Sequence, residues 1–145
     1  MPILTALVLA FSLCVTFQET PNFSGTWVVT MPPAQKGLIE TLTHDDTRFS
    51  RRHEILAIEV SVRMDGSDTR SIMPTPGGPI QVSAAMSWKG RQLVIDENVL
   101  LPTGERHQAQ ITYWVAPDGQ LHKGITEIVS GKPGSTKKFV LTKRN

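Results

Sequence analysis

The residues best suited to chemistry are a cluster of cations, Arg48, Arg51 and Arg52, with His53 beside them. An arginine binds a carboxylate through a planar fork of N–H groups. In a strand, successive side chains alternate faces, so Arg48 and Arg52 share one face while Arg51 lies with Phe49 and His53. If Arg51 faces the interior of a closed sheet, it can pair with a ligand carboxylate. The competing expectation is a solvated strand that uses charge to keep its edge soluble. The remaining histidines, His44, His107 and His122, fall at no recognised metal spacing, and there is no His-x-x-x-His or Cys-x-x-Cys. Surface histidine is expected at all four, and no metal ligand is assigned. No serine sits in a Gly-x-Ser-x-Gly elbow, and no glycine-rich loop opens a helix to hold phosphate. Asp96 and Glu97 are adjacent and therefore point to opposite faces, so they do not form a carboxylate pair. No catalytic residue is assigned, and the chain is not expected to be an enzyme.

These side chains sit on runs of strand character. Phe23–Thr30, Leu38–Thr43, Thr47–Ile55, Ala57–Met64, Asp68–Met73, Ile80–Trp88, Arg91–Leu101, Arg106–Val115, Leu121–Val129 and Thr136–Thr142 each carry strand-forming residues. Ile58, Val60, Val62 and Met64 share a face, as do Ile80, Val82, Ala84, Met86 and Trp88, and again Ala109, Ile111, Tyr113 and Val115. Asp65-Gly66 is the strongest hairpin signal, and Pro117-Asp118-Gly119 is a well-formed turn sequence. The segment over 30–37 is too short and proline-rich for a helical lid. Strands of this length joined by tight turns suit an antiparallel meander. A meander closes into an up-and-down β-barrel of about 8–10 strands, because closure removes its exposed edges. The fold class is therefore all-β.

Gly25 and Trp27 open the first strand on one face. The absent Cβ of Gly25 leaves room that a large ring can fill, a device for starting and sealing a barrel. Met64, Met86, Trp88 and Tyr113 supply adaptable or flat side chains on the same faces as the apolar core. They are candidate ligand contacts, with plain core packing as the alternative.

Composition excludes several classes. The chain has 145 residues, 19% charged and 39% hydrophobic, and a net charge of +2. That is one globular domain, without the basic stripe of a nucleic-acid binder. An apolar stretch of about 13 residues near Ile3–Val15 is shorter than the ~20 that a spanning helix needs. It is expected to be an export signal over residues 1–18, leaving a domain over 19–145 with no stable membrane span. No Lys or Arg precedes Lys36, which departs from the usual signal pattern. Leu13 before Cys14, the only cysteine, argues against a lipid anchor there. Without Cys14 the domain holds no disulfide and depends on core packing. Asn22-Phe23-Ser24 matches a glycosylation acceptor, relevant only in a eukaryotic secretory route.

Taken together, Phe23-Ser24-Gly25-Thr26-Trp27, Trp88-Lys89-Gly90 with Leu93-Val94-Ile95, Pro117-Asp118-Gly119 and the closing Val140-Leu141-Thr142-Lys143-Arg144 resemble the small exported lipocalin-like (calycin-type) domains of bacteria. The resemblance covers most of residues 22–144. It implies a lipocalin-like barrel, periplasmic or secreted, and a late basic residue packed over Trp27 as a cation–π contact, with Arg144 favoured over Lys143. It also implies a binder or carrier of a small hydrophobic or carboxylate-bearing ligand. The alternative is a non-catalytic interaction or scaffold module with a filled barrel; no protein partner is specified. Some related barrels hold haem through one histidine, but no cofactor is expected here.

Overall fold

The computed structural model describes residues 19–53 and 56–145. The export signal and Cys14 lie outside the described residues, as do the last two positions of the run expected over 47–55. The described residues form one antiparallel sheet of ten strands: β1 (Gly25–Met31), β2 (Ile39–His44), β3 (Arg48–Arg52), β4 (Glu59–Arg63), β5 (Thr69–Met73), β6 (Ile80–Lys89), β7 (Gln92–Leu100), β8 (Arg106–Val115), β9 (Leu121–Val129) and β10 (Lys132–Lys143). Strand order is β4-β3-β2-β1-β10-β9-β8-β7-β6-β5, so every strand pairs with its sequence neighbours except β4 and β5, and β1 pairs with β10. The sheet is a nearly closed up-and-down barrel. Its two ends, β4 and β5, are not hydrogen-bonded to each other, and β4 packs against β5 and β6 through side chains. Among the described residues the single helical element is a 3-10 turn over Pro33–Gln35 between β1 and β2.

Alternation determines the core. Along β6, Ile80, Val82, Ala84 and Met86 are buried while Gln81 and Ser87 are exposed, as a half-buried strand requires. The β6–β7 register sets Met86 opposite Ile95 and Trp88 opposite Leu93, so each strand's inward row meets its neighbour's.

The barrel has two unlike ends. At the lower end, where β8 turns into β9 and β6 into β7, the interior is filled by rings. Phe23 is fully buried and lies 6.2 Å from both Trp88 and Tyr113 and 6.3 Å from Phe49, centroid to centroid. Phe23 also stacks on His44 at 5.7 Å. It is pinned there by its own N–H, which donates to His44 Nδ1 at 3.2 Å, and by its carbonyl, which accepts from Trp27 Nε1 at 3.0 Å. Ser24 exchanges two hydrogen bonds with the His44 backbone, its hydroxyl donating at 2.7 Å and accepting at 2.9 Å. The segment before β1 thus stoppers the barrel.

Trp27 is buried, and a basic side chain lies over it, but the residue is Lys143, with Nζ 5.6 Å from the ring. Arg144, favoured from the sequence, is exposed, and its backbone N–H donates to the Thr26 carbonyl at 2.8 Å. The β1–β10 register explains the correction: Lys143 pairs with Trp27 and so shares its face, whereas the next residue points the other way. Gly25 has φ of +140°, and a Cβ there would lie 2.8 Å from Lys143 Cε. The glycine is what lets the lysine reach the indole.

Candidate functional site

The upper end is open and polar. Four charged side chains interrupt the inward rows there: Glu40 on β2, Arg51 on β3, Glu97 on β7 and Lys123 on β9. Arg51 and Glu97 come from strands on opposite sides of the barrel and meet across it, Nη2 donating to Oε2 at 2.6 Å. Both side chains are almost wholly buried, at 1% and 2% exposure. The other Glu97 oxygen, Oε1, lies 3.3 Å from His53 Nε2. Leu56 N–H donates to His53 Nδ1 at 3.2 Å, leaving the ring hydrogen on Nε2 to meet Glu97. His53 begins the β3–β4 connection and is held at its backbone by N–H donation to the Ile58 carbonyl at 2.7 Å.

The second cluster lies deeper along β9. Lys123 Nζ donates to Glu40 Oε2 at 2.9 Å, and the Tyr113 hydroxyl donates to Glu40 Oε1 at 2.7 Å. The ammonium sits 5.8 Å from the Tyr113 ring and 5.4 Å from the Phe139 ring. Aromatic faces and a carboxylate therefore surround a cation that is only 3% exposed. Ion pairs this deep are sustained only with good geometry and further hydrogen bonds, and both clusters have them.

Above them lies an open cavity of about 610 Å³. Its wall takes Val29 and Phe139 from the inward rows, Leu38 from the β1–β2 connection and Ile39 from the outer face of β2; Gln35, Glu40, Thr41, Arg52, His53 and Lys123 supply its polar groups. A second open cavity of about 500 Å³ lies on the other side of His53, against Leu56, Leu101, Ala109 and Ile125. The His53 side chain borders both cavities.

The structure places the sequence candidates differently from one another. Arg51 faces the interior, but its guanidinium is engaged by Glu97. Met86, Trp88 and Tyr113 belong to the ring-filled lower end, and Met64 packs against the same core. None of these borders the 610 Å³ cavity; Tyr113 reaches it only through Glu40. His53 is not a surface histidine, since its side chain is 14% exposed and paired with Glu97. His44 is half-buried under Phe23, and His122 stacks on Trp114 at 5.2 Å. Burial holds the His44 pKa below the ordinary imidazole value, and the Asp45 and Asp46 carboxylates oppose this only in part.

Glu40, Glu97 and Lys123 escaped the sequence reading, yet each leaves a signal. Glu97 stands between Ile95 and Val99 on an inward row, Lys123 between Leu121 and Ile125, and Glu40 between Leu38 and Leu42. A charge interrupting an apolar alternation marks a buried, paired group. Among the described residues no cluster of His, Cys, Asp or Glu is arranged to hold a metal, and no helix is long and apolar enough to cross a membrane. Comparison with known protein families finds no family match for the chain, and comparison with characterised proteins finds no similar protein.

Proposed function

We propose that the protein is an exported, lipocalin-like binder of a small hydrophobic ligand, taken up at the open mouth of the barrel. The observation that carries this is the 610 Å³ cavity, a volume within the range of small-molecule sites, where Val29, Leu38, Ile39 and Phe139 give apolar surface beside polar groups that include Glu40 and Lys123. The resemblance of the Gly25–Trp27 and Trp88–Gly90 segments to calycin-type domains supports the same reading. Cargo sits above the ion pairs, because rings fill the lower half of the interior.

The test is an amide-resolved NMR titration of the protein with octan-1-ol. Shifts are expected at Val29, Leu38, Lys123 and Phe139, and not at Leu93 or Tyr113. Leu38→Asp puts a charge on the exposed cavity wall and should weaken binding by about tenfold, the effect of losing one to two kcal/mol of apolar contact. Saturating octanol with no shift at those four residues overturns the reading.

A second reading, a non-catalytic interaction module, is favoured by the filled lower end and by exposed Leu38, Ile39 and Val129. It predicts a protein partner recovered from the exported fraction, and a null octanol titration.

A further inference from the structure

We propose that Lys123 captures a small apolar aldehyde as a reversible imine, with Glu40 as proton acceptor and then counter-ion. This rests on the mouth cavity being a ligand site and adds the chemistry of its cargo. Four features meet at one nitrogen. Lys123 lines the 610 Å³ cavity, so a carbonyl carbon entering there can reach Nζ. Glu40 Oε2 stands 2.9 Å away, within proton-transfer distance. The Tyr113 hydroxyl holds the other Glu40 oxygen at 2.7 Å, which orients the carboxylate. The Phe139 and Tyr113 rings screen the nitrogen from water, which otherwise hydrolyses an imine, while Val29 and Leu38 give an alkyl chain somewhere to lie.

The step balances. The ammonium passes a proton to the Glu40 carboxylate, giving a free amine and a carboxylic acid. The nitrogen lone pair attacks the aldehyde carbon, a C–N bond forms, and the carbonyl oxygen takes a proton from nitrogen to become a carbinolamine hydroxyl. Glu40 then returns its proton to that hydroxyl, the C–O bond breaks, and water leaves. What remains is a protonated imine beside the Glu40 carboxylate. Net, one aldehyde and one ammonium become one iminium and one water, with no change of oxidation state. Hydrolysis runs the sequence backwards and releases the cargo unchanged.

The arrangement explains why a cation is buried on an otherwise apolar row. Lys36, Lys89, Lys132 and Lys138 are exposed. They have neither a cavity wall for the alkyl chain nor shielding for the imine.

The experiment is incubation of the purified protein with octanal and sodium cyanoborohydride, which reduces any imine to a stable amine, followed by intact-mass and peptide mapping. One adduct per chain on Lys123 is expected, ahead of every exposed lysine. Excess octan-1-ol should protect Lys123 without protecting the others. Glu40→Gln should slow capture by about 100-fold, the lower range for a lost acid–base group, measured at a temperature where circular dichroism shows this less stable variant still folded. Lys123→Arg should lose the adduct; if that variant does not fold, the octanol protection in the unaltered protein decides the matter. Adducts spread evenly over exposed lysines, or none on Lys123, overturn the proposal. If octanol binds at the mouth but octanal leaves Lys123 unmodified, only the covalent chemistry fails; if neither binds, the ligand site itself fails.

Discussion

Removing one partner of the Arg51–Glu97 pair should cost far more than removing both. The pair spans the barrel with a 2.6 Å contact, and neither side chain is more than 2% exposed. At an effective dielectric of ~20, charges about 4 Å apart attract by about 4 kcal/mol. Glu97→Gln keeps the shape but removes the charge, leaving the guanidinium buried opposite a neutral amide. The expected loss is about 3–5 kcal/mol. Against a total stability of roughly 5–15 kcal/mol, that brings the protein close to unfolding. Arg51→Met alone should lose a similar amount. Arg51→Met combined with Glu97→Leu removes both charges and their desolvation together, so it should lie within about 1 kcal/mol of the parent. The double-mutant cycle closed with the Glu97→Leu single variant, which strands the same guanidinium, then gives a coupling of at least ~3 kcal/mol. Urea denaturation followed by tryptophan fluorescence measures each corner, with unchanged m-values confirming a common transition. A Glu97→Gln loss below ~1 kcal/mol, or a double variant as unstable as the sum of the singles, would show that no closed, dry pair crosses the interior.

Other expectations follow from the same geometry. Gly25→Ala should destabilise by about 1–3 kcal/mol, because φ of +140° is strained for any residue with a Cβ. Adding Lys143→Ala relieves the side-chain contact but not the backbone strain, so most of the loss should remain in thermal melts. The His44 ring, with its pKa lowered by burial, should make the fold acid-sensitive. The unfolded chain binds that proton near pH 6.5 and the folded one only lower, so stability is fully present above 6.5 and is lost as pH falls through the folded value. Replacing the ring by His44→Gln should flatten that part of the stability–pH curve, and an unchanged slope would refute the assignment. Ser130 and Gly131 carry φ of 52° and 75° in the β9–β10 hairpin, a turn that prefers Asn at its first position. Ser130→Asn should therefore add about 0.5–1 kcal/mol to the urea-derived stability.

The barrel was legible in the sequence because its signals are local. β8 and β9 span the residues that alternation delimits, Arg106–Val115 and Leu121–Val129, and the Asp65-Gly66 and Pro117–Gly119 turns fall between strands. The β1–β10 closure is non-local, but few other ways exist to hide both edges of such a meander. The site was less legible. Alternation does put Arg51 with Phe49, and Glu97 opposite to Asp96, yet it says nothing of which strand faces which across the interior. That pairing depends on how the sheet curls, a property of all ten strands together. The Trp27 contact turned on parity: Lys143 and Arg144 differ by one position and hence by a face, and the register with β1 makes the choice. His53 looked solvated because its neighbours are charged, whereas the end of β3 turns its ring inward.

The lack of hydrogen bonds between β4 and β5 leaves the wall with a single longitudinal slit. Every other join must break a backbone ladder to spread, but this one parts by sliding β4, with Val60 and Val62, past β5 and β6. The girth of the barrel is therefore adjustable at that one line, and the proposed uptake of a ligand at the mouth predicts that these two strands yield first. Their amides are where deuterium uptake would register its arrival.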